Sequence, residues 1–166
     1  MNLILKEATY QDLPLMMAWR SNELVYRGFY KQQCPLNWDE HLAWFESRNS
    51  DWRTFIVLFK DWANGWSWAP LDRPIGVVTI GQLDHWNPEM GYYIGEISLW
   101  GKGVGTEAVR LGIEWVRGYA SNYTHVTHIH TTIKDDNVGS IKIVKKLGFK
   151  KGMEARKGEH YWVRPL

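Results

Sequence analysis

Three glycines fall within five residues in the run Trp100-Gly101-Lys102-Gly103-Val104-Gly105-Thr106. Glycine tolerates positive φ and lets a ligand come close to the backbone. A helix starting here leaves its first N–H groups without intrahelical partners, at the positive end of its dipole. Such a turn suits a phosphate, and Lys102 adds a cation beside it. The plain alternative is a tight strand–helix connection that binds nothing. A P-loop does not fit, because that motif puts Gly-Lys-Ser/Thr after four free residues. Gly103-x-Gly105-x-x-Ala108 does match a G-x-G-x-x-A dinucleotide fingerprint. That fingerprint opens a long series of βα units, whereas only about 60 residues follow it here.

Other side chains able to do chemistry are scattered. Glu89, Glu96 and Glu159 are candidate bases, and each is equally readable as an exposed strand-end carboxylate. Ser140 and Tyr161 offer hydroxyls. His125, His128 and His130 crowd one strand, where His128 and His130 share a face and His125 takes the other. No further ligands stand at metal spacing, so no metal is expected. Cys34 is the only cysteine, which precludes an intrachain disulfide and fits a reducing compartment.

The elements that must position these groups follow from pattern. Leu3–Ala8 reads as a strand. Leu13 to Leu24 reads as a helix capped by Asp12, with Pro14 in its first turn. Asn37 or Asp39 caps a second helix with Trp38, Leu42 and Phe45 on one side. Thr54–Phe59, Pro74–Ile80 and Glu89–Glu96 read as strands, the last two forming a hairpin or meander across Gln82–Pro88. Val104 to Tyr119 is the clearest helix, with Val104, Ala108, Leu111 and Trp115 inward and Glu107, Arg110, Glu114 and Arg117 outward. His125–Ile133 is a strand. Ser140–Leu147 is a short helix with Ile141, Val144 and Leu147 inward, stopped by Gly148. Lys150–Arg156 and His160–Arg164 close the chain as strands around Lys157-Gly158. Consecutive strands followed by helix–strand alternation predict a mixed α/β (α+β) layer fold in a single domain, 1–166.

Composition narrows the function. The chain has 166 residues, 45% hydrophobic and 23% charged, enough to bury a core without a disulfide or metal staple. Eleven Trp point to broad aromatic surfaces in a core, pocket or interface. A net charge of +2 gives no strong pull toward nucleic acid or a membrane surface. An aromatic-rich single-strand nucleic-acid binder is therefore disfavoured. Lys/Arg number 8 against 9 Asp/Glu over 1–83, and 12 against 9 over 84–166. The basic excess gathers at Lys142, Lys145, Lys146, Lys150 and Lys151, either a solvated helix face or a rim for an anion. No stretch has the roughly 20 apolar residues of a membrane span, and the N-terminus shows no cleavage pattern, so a cytoplasmic location is expected.

Two signatures together resemble the GNAT superfamily of N-acetyltransferases. Trp100-x-x-Gly103-x-Gly105 is similar to that family's Arg/Gln-x-x-Gly-x-Gly/Ala, with Trp in place of Arg/Gln. Asn137-x-x-Ser140-Ile141 … Lys145-Lys146-Leu147-Gly148-Phe149 is similar to its Asn-x-x-Ala/Ser … Lys-x-Gly-Phe. Trp-Gly-Lys-Gly followed by Thr106-Glu107-Ala108 looks like the ribosomal-protein and polyamine branch. Trp19-Arg20-Ser21-Asn22 … Glu40-His41-Leu42-Ala43-Trp44 resembles the branch acting on nucleotide-linked amino sugars. The resemblance implies a central mixed, mostly antiparallel sheet, splayed at the cofactor site, with helices on both faces. It implies acetyl-CoA as co-substrate, held by Ile94, Gly95, Glu96 and Ile97, by Trp100, Gly101, Lys102, Gly103, Val104, Gly105 and Thr106, and by Asn137, Ser140 and Lys145. Tyr93 joins the backbone candidates for the pantetheine arm and the thioester oxygen.

Acetyl transfer needs a neutral amine, a polarised carbonyl and a protonated leaving thiolate. The resemblance favours Glu89 as base, with Glu96 and Glu159 open. The family's tyrosine acid, seven residues after the Asn, is Val144 here. That leaves Ser140, Tyr161 or water as acid. The acceptor is expected to be a sugar-nucleotide amine, a protein or peptide N-terminus, a polyamine, an aminoglycoside or another small amine, with the Trp62, Trp66 and Trp68 loop near the acceptor groove or at a homodimer interface. The missing tyrosine also keeps open a silent acyl-CoA-binding or sensing module.

Overall fold

The computed structural model describes residues 2–29, 32–48, 50–61, 71–123 and 125–166. The Trp62, Trp66 and Trp68 loop lies outside the described residues. In chain order the elements are β1 (Leu3–Glu7), α1 (Leu13–Arg20), α2 (Glu23–Tyr26), α3 (Trp38–Glu46), β2 (Arg53–Asp61), β3 (Leu71–Gly81) and β4 (Glu89–Ile94). There follow α4 (Val104–Ala120), β5 (His128–Lys134), α5 (Val138–Lys146), β6 (Lys150–Arg156) and β7 (Glu159–Pro165). The strands form one sheet in the order β1-β2-β3-β4-β5-β7-β6. Every neighbouring pair is antiparallel except β4 and β5.

Local sequence explains where the helices begin and end. The expected helix over Leu13–Leu24 is two helices. Asn22 takes an extended conformation (φ −80°, ψ 125°), and its side chain accepts from the Leu24 N–H, so it caps a new start. Asn37, not Asp39, caps α3 by accepting from the Asp39 N–H at 2.8 Å. Asn137 caps α5 by accepting from the Ser140 N–H at 3.1 Å. Gly148 follows α5 at φ +82°, a left-handed stop that glycine reaches without strain.

The two faces of the sheet bury different partners, because successive strand residues point to opposite sides. Phe55, Val57, Val78, Ile80 and Met90 pack on α4 and α5, with Val144 and Trp162 in the same core. Ile56, Leu58 and Val77 pack on Leu13, Met16 and Trp19 of α1, with Leu42 and Phe45 of α3 alongside. Burying each such large apolar side chain contributes about 1.5–3 kcal/mol. The buried stripe of α4 is Val104, Ala108, Val109, Gly112, Ile113 and Val116. Leu111 and Trp115, expected to lead that stripe, are its half-buried edge. Arg110 pairs with Glu107 and Glu114 on the opposite face, as the charge pattern requires.

Between β4 and β5 the sheet opens. A single register pair, Glu89↔His130, joins them. That opening is what places the functional residues.

Candidate active site

At the C-terminal end of β4 the backbone bulges. The N–H groups of Gly95 and Glu96 both donate to the Ile75 carbonyl, at 2.9 and 3.2 Å, so two residues oppose one. Gly95 is required there, since a Cβ would run into the indole of Trp19. These two amides are thus engaged within the sheet. Because Gly95 bonds toward β3, antiparallel alternation turns the N–H groups of Tyr92 and Ile94 the other way, toward the gap. The Ile94 carbonyl on that side accepts from Trp100 Nε1 at 2.9 Å. Trp100, standing where the resemblance leads one to expect Arg or Gln, therefore ties the glycine turn to the strand end.

Gly101 (φ +75°) and Gly103 (φ +83°) both take left-handed backbone, and no atom lies within 4 Å of a Cβ placed on either. Gly103 is the N-cap of α4, and no side chain caps that helix. Its first N–H groups are left without a side-chain cap, and Lys102 is exposed beside them. Gly105 has a different reason: a Cβ would stand 2.9 Å from Ile143 Cδ1, so glycine lets α5 pack close. The residues present fit an anionic pyrophosphate.

The α1/α3 face carries a second cluster. Glu89 Oε1 accepts from Thr132 Oγ1 at 3.2 Å. His130, buried, donates from Nδ1 to the Asn87 carbonyl at 2.7 Å. Its ring meets Tyr161 edge to face at 5.6 Å. Above the strands stand two arginines. Arg20 lies 5.1 Å from the Phe29 ring and 5.5 Å from Trp44, with Nε donating to Gln32 Oε1 at 3.1 Å. Arg48 lies 4.5 Å from Trp44 and 3.9 Å from Trp52. Burial holds both guanidiniums below their ordinary range, and for Arg48 the Arg20 charge adds to this while Glu89 opposes it. Among the described residues neither makes an ion pair. Among the described residues, Arg48 Nε and the Tyr93 hydroxyl are buried without a hydrogen-bond partner.

The structure brings some of the expected site residues together and separates others. Trp100 bonds the Ile94 carbonyl, Asn137 caps Ser140 on the first turn of α5, and Gly105 of the glycine turn packs on Ile143 of the same helix. Lys145 instead lies over Trp162 at 5.8 Å, lining a cavity of about 540 Å³ with Phe149 and Lys150. Ser140 and Tyr161 are on opposite faces of the sheet. Glu159 is buried and paired with Arg156 at 2.8 Å, away from the gap. Arg48, Trp52 and Gln32 carry no motif, so spacing alone did not single them out. Among the described residues no three His, Cys, Asp or Glu side chains converge on a metal-sized site. Among the described residues no helix is long and apolar enough to cross a membrane.

A mixed sheet splayed at its parallel pair, with a glycine-rich helix start beside the opening, is the acetyltransferase architecture. The family model for the acetyltransferase (GNAT) domain matches residues 2–150, and the chain belongs to that family. It is 39% identical over 165 residues to the uncharacterized protein MJ1062 of Methanocaldococcus jannaschii. The match takes in 97% of this chain but about 30% of that relative's length. A crystal structure of a domain from the same organism superposes with a TM-score of 0.87 at 37% identity, covering 99% of both chains. The fold also matches spermidine N-acetyltransferase from Vibrio cholerae in complex with CoA and spermine (TM-score 0.77, 14% identity, 98% and 95% covered). A further match is aminoglycoside acetyltransferase AAC(6')-Ib in complex with coenzyme A (TM-score 0.75, 17% identity, 99% and 95% covered).

Proposed function

We propose that this chain is an acetyl-CoA-dependent N-acetyltransferase that acetylates a primary amine bound on the α1/α3 face of the sheet. The carrying observation is the opening between β4 and β5, with an anion-ready helix start at one end and Glu89 at the other. Structural neighbours with the same fold were crystallised with coenzyme A, which supports the donor. The amides at the start of α4 and Lys102 would hold the pyrophosphate. The Ile94 N–H, facing the gap, would polarise the carbonyl, and the first turn of α5 at Asn137 and Ser140 would flank the pantetheine arm. Acetyl-CoA supplies an activated acyl carbon. Glu89 removes the proton from the incoming ammonium, a group with a pKa of about 10 that is mostly charged at neutral pH. Its bond from Thr132 orients the carboxylate for that task.

Of the acceptors compatible with the chemistry, a sugar-nucleotide amine suits this face best. Arg20 and Arg48 are half-buried cations that make no ion pair among the described residues. A phosphate would satisfy them, and the rings of Trp44, Trp52 and Phe29 offer surfaces for stacking. A polyamine would meet two like charges instead. Steady-state kinetics over a nucleotide-linked amino sugar, a peptide N-terminus and spermidine tests this choice. The nucleotide-linked amine should give the highest kcat/KM. Arg48→Gln should raise its KM on the order of tenfold, the loss of one charge-assisted bond, and leave the KM of acetyl-CoA alone. Preference for spermidine would overturn the acceptor assignment. Val144 in place of the family's tyrosine favours a second reading, a silent acyl-CoA-binding module. That reading predicts binding with no CoA release on any amine.

A further inference from the structure

Gly81 is the β3 residue paired with Glu89, so the two share the α1/α3 face of the sheet. The indole of Trp52 fills the space that a Cβ at Gly81 would need. Trp52 therefore covers the position next to Glu89. It also lines a cavity of about 270 Å³ beside the end of α3, together with Tyr10, Phe45, Arg48, Arg53 and Thr54.

Two polar groups in this lining have no hydrogen-bond partner among the described residues. Thr54 is 7% exposed, and its hydroxyl is buried and unbonded. Arg48 Nε is in the same condition. Arg53, by contrast, is engaged, with Nη1 donating to the carbonyls of Ser50 and Trp52. Buried polar groups without partners are costly and uncommon. Arg48 Nε can only donate, and the Thr54 hydroxyl can donate or accept. The cavity also offers flat apolar surfaces, with Tyr10 and Phe45 meeting edge to face at 5.3 Å. A planar ring that carries carbonyl oxygens suits both sets of groups, because it packs on the rings and accepts from Arg48 and Thr54. A nucleobase is such a ring.

Spacing agrees. Trp52, one residue before β2, stands two strand positions from Glu89, or about 10 Å. A hexose and its phosphate linkage span an interval of that size. Arg48 stands between the two, with its guanidinium 3.9 Å from the Trp52 ring and the Glu89 charge acting on it.

We propose that this cavity is the nucleobase site of the acceptor and that Thr54 hydrogen-bonds the base, an inference that rests on the nucleotide-linked acceptor argued above. The amine then meets Glu89, the phosphates pass Arg48, and the base lies among Tyr10, Phe45 and Trp52.

UDP, CDP, dTDP and GDP carry a base and phosphates without the amine, and ADP is left out because CoA contains it. At least one of the four should raise Tm and inhibit competitively against the acceptor amine but not against acetyl-CoA. Inorganic pyrophosphate at the same concentration should do neither. Thr54→Val keeps the side chain's shape and removes the hydroxyl. It should weaken the best of these nucleotides about fivefold, the loss of one hydrogen bond, with the KM of acetyl-CoA unmoved. Thr54→Ser, which keeps a hydroxyl, should bind nearer to wild type. Without ligand, Thr54→Val should melt no lower than wild type, because the hydroxyl has no partner within the protein. A lower Tm with unchanged nucleotide affinity would make Thr54 a structural residue and overturn the proposal. So would pyrophosphate binding as tightly as the best nucleotide, or competition with acetyl-CoA in place of the amine. The shift in Tm needs no turnover, which separates the two failures. A nucleotide shift with no amine acetylated would sink the transferase reading and leave the nucleotide site. Acetylated amines with no nucleotide shift would sink the nucleobase site alone.

Discussion

Replacing Glu89 by glutamine keeps the side chain's volume and its bond from Thr132 while removing the base. With an alkylamine acceptor, Glu89→Gln should lower kcat/KM about 10²-fold at neutral pH. The gap should narrow as pH rises toward the amine's own pKa of about 10, because the free amine then forms without help. A pH–rate profile of the two proteins checks both the size and the convergence. Glu89 was legible in the sequence as an acid before a glycine turn, but Glu96 and Glu159 were equally so. What separates them is three-dimensional: Glu159 is spent on Arg156, and Glu89 alone lies across the one β4–β5 pair. Arg48 and Thr54 were illegible for the same reason. The cavity they share with Tyr10 and Phe45 is assembled from separate elements, and no spacing encodes it.

At the scale of elements, the α4–α5 contact depends on one missing methyl. Gly105→Ala puts a Cβ 2.9 Å from Ile143 Cδ1, and the two helices must move apart or Ile143 must change rotamer. Overpacking of this kind costs about 1–3 kcal/mol, seen as a lower Tm in calorimetry. Gly118→Ala is the control: nothing lies within 4 Å of its Cβ, and α4 gains a better helix former there. The sequence pattern marked most helices and strands because their caps are local, as at Asn37, Asn137 and Gly148. It failed where a cap interrupts an otherwise helical run, at Asn22, and where partial burial mimics a core stripe, at Leu111 and Trp115. The engagement of the Gly95 and Glu96 amides with Ile75 was also hidden, since a bulge is decided by the partner strand.

Across the whole molecule, the fold was readable because strand and helix signals alternate with little ambiguity. The splay between β4 and β5 was not, and it came only with the family resemblance. The packing of α3 on α1 sets one global property. His41 is 1% exposed, with Nε2 3.2 Å from the Leu13 carbonyl. Burial, helped by the Arg20 charge, holds its pKa below 6.5. The unfolded chain therefore binds the proton more readily. The stability this neutral histidine contributes is complete above about pH 6.5 and is lost as pH falls from there toward the lower folded value. Urea unfolding at several pH values should show an acid-side decline in wild type that is shallower in His41→Gln.

The central claim is that the opening between β4 and β5 passes an acetyl group from CoA to an amine on the far face. Mass spectrometry of the acceptor, run beside thiol detection of released CoA, tests it most directly. The account predicts one acetylated amine for each CoA released from a nucleotide-linked amino sugar, with neither product when amine or enzyme is omitted. Tight acetyl-CoA binding without an acetylated product from any amine would contradict it.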